Sequence, residues 1–475
     1  MRLSDLTGID SEAVVTGFAI DHRKGTKGNI FGAFRGERFD GESFIPQAIA
    51  HGAVAVVARP EAVVDGAVHI ADAEPRRRFA RLAGKFYGPY PDVIVAVTGT
   101  NGKTSTVELA RQMWRMAGQR SASIGTLGVT TADDQVKTGL TTPDIVTFLS
   151  NMAGLERMGI SHVAYEASSH GLDQFRSEGL PVRAAAFTNF SRDHLDYHAD
   201  MDSYFAAKMR LFDEVVDGDG TAVVWTGDAR SAEVIDRVRS RGLKLIMVGP
   251  GAETIALVEQ VPTSLGQRLL LRHEGREISL TLPLIGAYQA NNVLTAAGLL
   301  LATGSDPADV LSAMGRVSPV RGRLERAVIS RAGAPVYIDY AHTADALEAA
   351  IAALKPHVAS DQGGRLITVF GAGGDRDTGK RAPMGEVAAR MSDVAIVTDD
   401  NPRTEDPAKI RREVMEGALG AIEIGDRRAA IAEAIRLAGS GDIVLIAGKG
   451  HETGQVIGEL VLPFDDALVA RECAA

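Results

Sequence analysis

The chain is short of the residues that build covalent or thiolate-clamped scaffolds. Its one cysteine, Cys473, stands almost at the C-terminus. One thiol makes neither an internal disulfide nor a cysteine-based metal cluster, so Cys473 reads as an incidental tail residue. Excess positive charge is missing too: 51 lysines and arginines face 61 acidic residues, a net charge of −10. That balance argues against a nucleic acid held on a broad basic surface, although local basic clusters can still hold a phosphorylated small molecule. No apolar run approaches the ~18–20 residues of a membrane span. The opening "MRLSDLTGIDSE" has no basic region followed by an apolar one, so no signal peptide is visible. These absences predict a cytoplasmic protein with no membrane span and no nucleic-acid partner.

What is present is ordinary globular material. The 475 residues are 45% hydrophobic and 24% charged, which allows several substantial cores and two to four domains at ~100–200 residues each. Two punctuated stretches, "KFYGPYPD" (85–92) and "GRVSPVRGR" (315–323), mark boundaries. They divide the chain into an N-terminal part (1–88), a central part (89–322) and a C-terminal part (323–475). No short-period repeat or low-complexity tract is present.

The central and C-terminal parts alternate β-branched runs with helical stretches. Val107, Ala110, Trp114 and Ala117 fall on one helical face that Gly118 can end. Strand-like runs stand at 93–98, 162–168 and 184–189, and again in "VYIDYAH", "LITVFGAGG", "VAIVTDDNP" and "IVLIAGKG". This alternation implies parallel sheets covered by helices, an α/β fold. In such sheets ligands bind beyond the carboxyl ends of the strands. The chemistry is therefore expected on Gly99–Ser105, Glu166–His170, Asn189–His198, Asp339–His342, Gly371–Lys380, Asp399–Arg403 and Gly448–Glu452. One such ending reads as a polar turn; this many, rich in Asp, His, Arg and Gly, do not.

The most specific of them is "VIVAVTGTNGKTS" (93–105). A strand runs into a glycine turn and then a helix, the context of a phosphate loop, although Val97 stands where the usual G-x-x-x-x-G-K-[ST] pattern has its first glycine. Gly99 and Gly102 let backbone approach a phosphate, and first-turn amides of the helix point at it. Lys103 supplies a charge for the β- and γ-phosphates, and the Thr104 hydroxyl can ligate Mg²⁺. Mg²⁺ prefers hard oxygen ligands. Glu166 in "YEASSHG" offers one, and "SRDHLDYH" offers Asp193, His194, Asp196 and His198. The second cluster equally fits a helix start with solvated charges, and spacing alone does not decide.

"GTNGKTS", "TTPD", "YEASSHGLDQFR", "TNFSRDHLDYH", "YFAAKMRLF", "DYAHTADALE", "GAGGDRDTGKR", "DDNPRTEDP" and "AGKGHE" together resemble the Mur ligase family, from about residue 15 to the C-terminus. The family's phosphate loop resembles G-T-N-G-K-[ST] and does without the earlier glycine. The resemblance implies three domains: one binding the UDP end of the substrate, a central P-loop ATPase, and a C-terminal Rossmann-like domain for the incoming amino acid. It implies that Gly99, Thr100, Asn101, Gly102, Lys103, Thr104 and Ser105 hold ATP, with Asn292, Arg323, Asp339 and His342 as further nucleotide contacts. Thr104, Glu166, His194 and Lys208 would hold Mg²⁺, with Lys208 of "YFAAKMRLF" matching the lysine that the family carbamylates with CO₂. Lys103, Lys208 and His194 would be the catalytic set. Ile20, His22, Thr141, Thr142, Ser168, Gln174 and Arg176 would contact a UDP-muramoyl-peptide. Two positions depart from the pattern: His22 replaces a serine common in relatives, and Leu140 stands where some carry asparagine.

"DNPR" and "GKGHE" point to the family member that adds the third residue of the peptidoglycan stem. The implied reaction joins meso-2,6-diaminopimelate to UDP-N-acetylmuramoyl-L-alanyl-D-glutamate through an acyl phosphate, at the expense of ATP, in a monomer. Diaminopimelate differs from lysine by a distal carboxylate, and a planar guanidinium can pair with it bidentately. Arg403 matches the selective arginine, and Arg376, Asp400, Asn401, Pro402, Gly448 and Glu452 match the remaining contacts. Folylpolyglutamate synthetase, with the same logic, and a non-enzymatic ATP switch are the competing expectations. Phosphate release dependent on both substrates separates the three.

Overall fold

The computed structural model describes residues 1–36, 40–136, 139–195, 197–359 and 363–475. The chain folds into two compact units, Met1–Ala256 with Asn292–Ala313, and Leu257–Asn291 with Met314–Ala475.

The first unit opens with a small all-parallel sheet, β1 (Gly17–Ala19), β2 (Asn29–Gly32), β3 (Ala55–Ala58) and β4 (Val68–Ala71), in sequence order. Every residue of β2 and β3 is buried, as expected of strands covered on both faces. The helix Pro75–Tyr87 begins on a proline, which loses no hydrogen bond there, and buries Phe79, Ala80, Leu82 and Ala83. Its last turn takes in the first three residues of the "KFYGPYPD" boundary. A Cβ on Gly84 of this helix would run into the Gly179 carbonyl oxygen, and one on Gly179 (φ +88°) into that of Ala80. Only glycines permit this approach. Leu3, Phe18, Ile30 and Phe79 belong to the same core as Ile94, Phe148, Tyr165 and Phe187. The N-terminal sheet and the one that follows thus share one apolar interior.

That second sheet contains β5 (Val93–Thr98), β6 (Ser121–Gly125), β7 (Gly128–Thr130), β8 (Gln135–Val136), β9 (His162–Glu166), β10 (Ala184–Phe187), β11 (Thr221–Trp225) and β12 (Lys244–Gly249). Within this unit the order is β12-β11-β10-β5-β9-β6-β7-β8. The strands from β12 to β6 are parallel, while β6–β7 and β7–β8 are antiparallel. After β5 comes the helix Lys103–Met116, which buries Val107, Ala110, Met113 and Trp114; Ala117 caps it and Gly118 (φ +83°) follows. The expected face and stop are both present.

In the second unit, after β13 (Ile255–Thr263), β14 (Gly266–His273) and β15 (Arg276–Leu282) form an antiparallel pair. The alternation of strands and helices did not foretell it. The main sheet joins β16 (Glu325–Ile329), β17 (Pro335–Asp339), β18 (Leu366–Phe370), β19 (Val394–Val397), β20 (Ile422–Glu423) and β21 (Ile443–Ala447) in the order β16-β17-β21-β18-β19-β20. All pairs but β16–β17 are parallel. Separate cores cover its two faces, one with Leu347, Ile351, Phe370 and Met384, the other with Ile338, Val369, Ile431 and Ala434. Beyond β21, β22 (Gly454–Ile457) and β23 (Leu460–Pro463) make a hairpin.

Every polar segment singled out in the sequence follows a parallel strand. β5, β9 and β10 are neighbours in one sheet, and β17, β21, β18 and β19 in the other. The candidate residues are therefore gathered at the carboxyl ends of adjacent strands, one set in each unit.

Candidate active site

The loop after β5 is held open by side chains from β10's end. Thr188 Oγ1 donates to the Asn101 carbonyl at 2.6 Å, and Asn189 pairs with Asn101 twice, accepting from its N–H at 2.9 Å and donating to its carbonyl at 3.0 Å. Thr100 Oγ1 accepts from the Ser191 N–H at 3.0 Å. A Cβ at Gly99 (φ +143°) would strike Thr188 Oγ1, and one at Gly102 (φ +85°) would strike Asn292 Oδ1. The two glycines are thus required by backbone conformation and by contact, and Asn292 is brought to the loop from 190 residues away. Lys103 Nζ donates to the carbonyls of Gly99 and Thr100 at 3.0 and 2.8 Å. Thr104 and Ser105 are buried in the first turn of the helix that follows.

Lys208 shares that acceptor. Its Nζ donates to the Gly99 carbonyl at 2.8 Å and lies 4.4 Å from the Tyr204 ring centroid; the residue is 1% exposed. Tyr204 and Lys208 sit four apart on the helix Met201–Arg210, hence on one face. A capping box between Asp200 and Ser203 starts that helix. Burial, with the Lys103 ammonium nearby, pushes the Lys208 amine well below the ordinary lysine range. A neutral amine is the form that attacks CO₂.

Glu166 ends β9 opposite Val97 of β5 and is 1% exposed. Its Oε1 accepts from the Thr126 N–H at 2.7 Å, and a Cβ on Gly125 would collide with it. His194 adopts φ +53° and stands edge-on to His170 at 5.0 Å and to Tyr204 at 5.8 Å between ring centroids. His170 also packs on Tyr197 at 4.0 Å and on His198 at 5.7 Å. Asp196 lies outside the described residues. Among those described, no group of three or more His, Cys, Asp or Glu side chains is placed to hold a metal ion. The Glu166 carboxylate and the Thr104 hydroxyl offer hard oxygens, the donor type that Mg²⁺ prefers.

Of the residues expected to touch the muramoyl-peptide, Thr141, Thr142, Ser168, Gln174 and Arg176 form one bonded group. Thr141 Oγ1 lies 3.2 Å from Thr126 Oγ1, and Thr142 Oγ1 lies 2.9 Å from Ser168 Oγ while donating to the Glu166 carbonyl at 2.8 Å. Arg176 donates to the Thr142 carbonyl at 3.1 Å and to Gln174 Oε1 at 2.6 Å, and Gln174 Nε2 donates to the Tyr197 hydroxyl at 3.1 Å. In the N-terminal sheet's loops, Ile20 is exposed and His22 stacks on Phe44 at 4.5 Å with rings 7° apart.

In the second unit Asp339 ends β17. Its carboxylate accepts from the N–H groups of Leu324 at 2.8 Å and Ala341 at 2.9 Å. Burial raises its pKa, opposed by the Arg323 charge. Arg323 lies 5.2 Å from the Tyr340 ring centroid, and the His342 Nδ1–H donates to the Tyr340 carbonyl at 2.8 Å.

Beyond β19 and β21 a fully buried ammonium organises the rest. Lys449 Nζ, in a residue 0% exposed, donates to Asn401 Oδ1 at 2.9 Å and to Asp400 at 3.4 Å, and lies 3.6 Å from Glu452. Asn401 Oδ1 also accepts from the Val456 N–H at 2.9 Å, so its Nδ2 is left to donate to Glu452 Oε2 at 2.9 Å. Arg403 takes φ +52° and donates from Nη1 to the Gly374 carbonyl at 2.7 Å. Pro402 packs so closely on the β18 turn that a Cβ at Gly374 would meet its carbonyl oxygen. Gly448 (φ +117°) lies beside Asp400, and Arg376 is exposed in the 373–376 turn. Lys449, Tyr197 and Asn189 fall within the polar segments singled out in the sequence but were given no role of their own, and Thr126 was not singled out. Their contacts are with other protein groups, which spacing does not reveal.

Three family models cover most of the chain: "Mur ligase family, catalytic domain" matches residues 14–87, "Mur ligase middle domain" 97–300, and "Mur ligase, glutamate ligase domain" 322–450. The chain belongs to the Mur ligase family. This Mur ligase is 58% identical over 462 residues to the UDP-N-acetylmuramoyl-L-alanyl-D-glutamate--2,6-diaminopimelate ligase of Zymomonas mobilis, with 96% of this chain and 94% of that protein covered. The protein of the same name from Bradyrhizobium diazoefficiens is 48% identical, with coverages of 98% and 97%. A solved structure of a ligase with that name superposes with a TM-score of 0.76 at 31% identity, covering 100% and 98% of the two chains. The Mur ligase is thus an ATP-dependent ligase of peptidoglycan synthesis. Among its described residues no helix is long and apolar enough to cross a membrane.

Proposed function

We infer that this Mur ligase joins the amine of meso-2,6-diaminopimelate to the D-glutamyl carboxylate of UDP-N-acetylmuramoyl-L-alanyl-D-glutamate. It acts as a cytoplasmic monomer on small molecules, with parts at 1–88, 89–322 and 323–475. An amide does not form spontaneously from a carboxylate in water, so ATP's γ-phosphoryl activates that carboxylate as an acyl phosphate. Gly99–Ser105 cradle the nucleotide, with Asn292, Arg323, Asp339 and His342 as its further contacts. Lys103 leaves the Gly99 and Thr100 carbonyls to meet phosphate charge. Thr104, Glu166, His194 and the carbamate of Lys208 would hold Mg²⁺, which when bound neutralises charge on the transferred phosphoryl. Thr141, Thr142, Ser168, Gln174 and Arg176 orient the muramoyl-peptide, with Ile20 and His22 at the uridine end.

Selectivity belongs to the second unit. Arg403 faces the distal carboxylate, Glu452 accepts from the distal ammonium, and Asp400, Asn401, Pro402, Gly448 and Arg376 complete the pocket. The observation that carries this reading is Arg403: it stands in a left-handed turn, and one guanidinium nitrogen is fastened to Gly374, which fixes the direction of the fork. Lysine would leave the fork without its carboxylate, and sites with unmet polar groups reject such analogues by ~10⁴ or more. The test is kcat/KM for meso-diaminopimelate and L-lysine in the wild type and in Arg403→Ala. The wild type should strongly prefer diaminopimelate and the variant should lose that preference. Comparable use of lysine by the wild type overturns the assignment.

A further inference from the structure

The turn that carries Arg403 is fastened to the turn after β18 by a set of side chains that take no part in the contacts above. Arg381, 0% exposed, grips Glu405 with two parallel bonds, Nη1 to Oε2 at 3.0 Å and Nη2 to Oε1 at 2.8 Å. The same guanidinium donates to Glu413 at 2.6 Å and to the Gly373 carbonyl at 3.3 Å. Glu405 Oε1 also accepts from the Asp375 N–H at 2.6 Å. Asp375 answers from the other side, where its carboxylate accepts from the Thr404 hydroxyl at 2.7 Å and from the Thr404 N–H at 3.2 Å. The result is a closed ring of bonds through 375, 404, 405 and 381.

The ring spans two strained positions. Asp375 has φ +53° and Arg403 φ +52°, both in the left-handed region that non-glycine residues avoid. Such residues persist where surrounding bonds over-determine them. Relaxation of either would turn a guanidinium whose use lies in its direction. Misplacing a recognition group by ~1 Å can cost as much as ~10²-fold.

We propose that Glu405, with Arg381, Asp375 and Thr404, is a positioning set that aims Arg403 and so fixes the selectivity for an amino acid with a distal carboxylate. The proposal rests on the reading of Arg403 given above. Glu405 touches no substrate. Its effect is exerted wholly through the Arg403 turn.

The test uses the full-length enzyme with Glu405→Gln and, as a milder change at an exposed position, Thr404→Val. Kinetics are measured with meso-diaminopimelate and with L-lysine, alone and in the Arg403→Ala background. Each single variant should raise the KM for diaminopimelate by at least about tenfold with kcat within twofold. The KM for ATP and kcat/KM for lysine should not move, so discrimination falls. In the Arg403→Ala background neither change should alter discrimination further. If Arg403→Ala removes discrimination but both Glu405→Gln and Thr404→Val keep the wild-type ratio, the positioning set is refuted and the Arg403 reading stands. If Arg403→Ala itself keeps the ratio, the underlying reading fails and the proposal with it. Equal losses toward both amino acids and ATP would mark a merely structural role, and would also refute it.

Discussion

The candidate residues of the two units hold their charges in different ways. In the first unit Lys103 and Lys208 both donate to one backbone carbonyl, that of Gly99. In the second, Lys449 is set against Asp400, Asn401 and Glu452, and Arg381 against Glu405 and Glu413. A carbonyl is a weak, neutral resting place for a cation. A carboxylate is a partner, and losing one partner of a buried pair costs far more than the pair contributes. The second arrangement suits a site whose shape exists before a ligand does.

The sharpest way to break this contrast is at Lys208. Lys208→Ala should lower activity about 10³-fold or more, the upper end of what removing one charge-stabilising group costs, and formate or acetate at high concentration should restore part of it. Full activity without added carboxylate would remove Lys208 from the site. Lys103→Ala should follow, with a loss of ~10²–10³ in kcat and an unchanged melting temperature. Near-normal turnover at saturating ATP would mean that the loop does not serve phosphate.

The smallest effect tests the tightly held side. The Arg381 hydrogen bond, helped by the Asp375 N–H, holds the Glu405 carboxyl down at about 2, against an ordinary value of 4.5. The folded-state value lies below the unfolded one, so the contribution to stability is fully present above about 4.5 and is lost as pH falls toward 2. The wild type should exceed Glu405→Gln in Tm by no more than a few degrees at pH 6, since the Glu405 side of the pair is partly exposed, and the gap should close as pH falls between those values. A gap that persists at pH 2 would assign the effect to packing.

Much of this was legible in the residues. The parallel sheets, the helix after β5 and the placing of every polar segment at a strand's carboxyl end follow from hydrophobic alternation, because fully buried strands must be continuously apolar. Gly99 and Gly102 were legible for the same local reason. The antiparallel pair β14–β15 was not, since buried residues alternate with exposed ones in β14 and β15 is mostly exposed, so neither reads as a continuous apolar run. Nor was the pairing of Lys449: a lysine between glycines gives no sign that a turn 48 residues earlier will supply its acceptor. The approach of Asn292 to Gly102 is equally non-local. Pairings of this kind depend on which strands become neighbours, and the polar residues themselves do not encode that.

The bare contact between Gly84 and Gly179 has a practical consequence for recombination among relatives. The first 88 residues look like a cassette, with their own sheet and a loop after their last helix. Their helix nevertheless lies backbone to backbone on the segment before β10, and their apolar residues are part of the following sheet's interior. A chimera that takes this segment from one relative and the remainder from another must inherit both glycines together. A methyl group on either partner would wedge the graft open, however well its own four strands had folded.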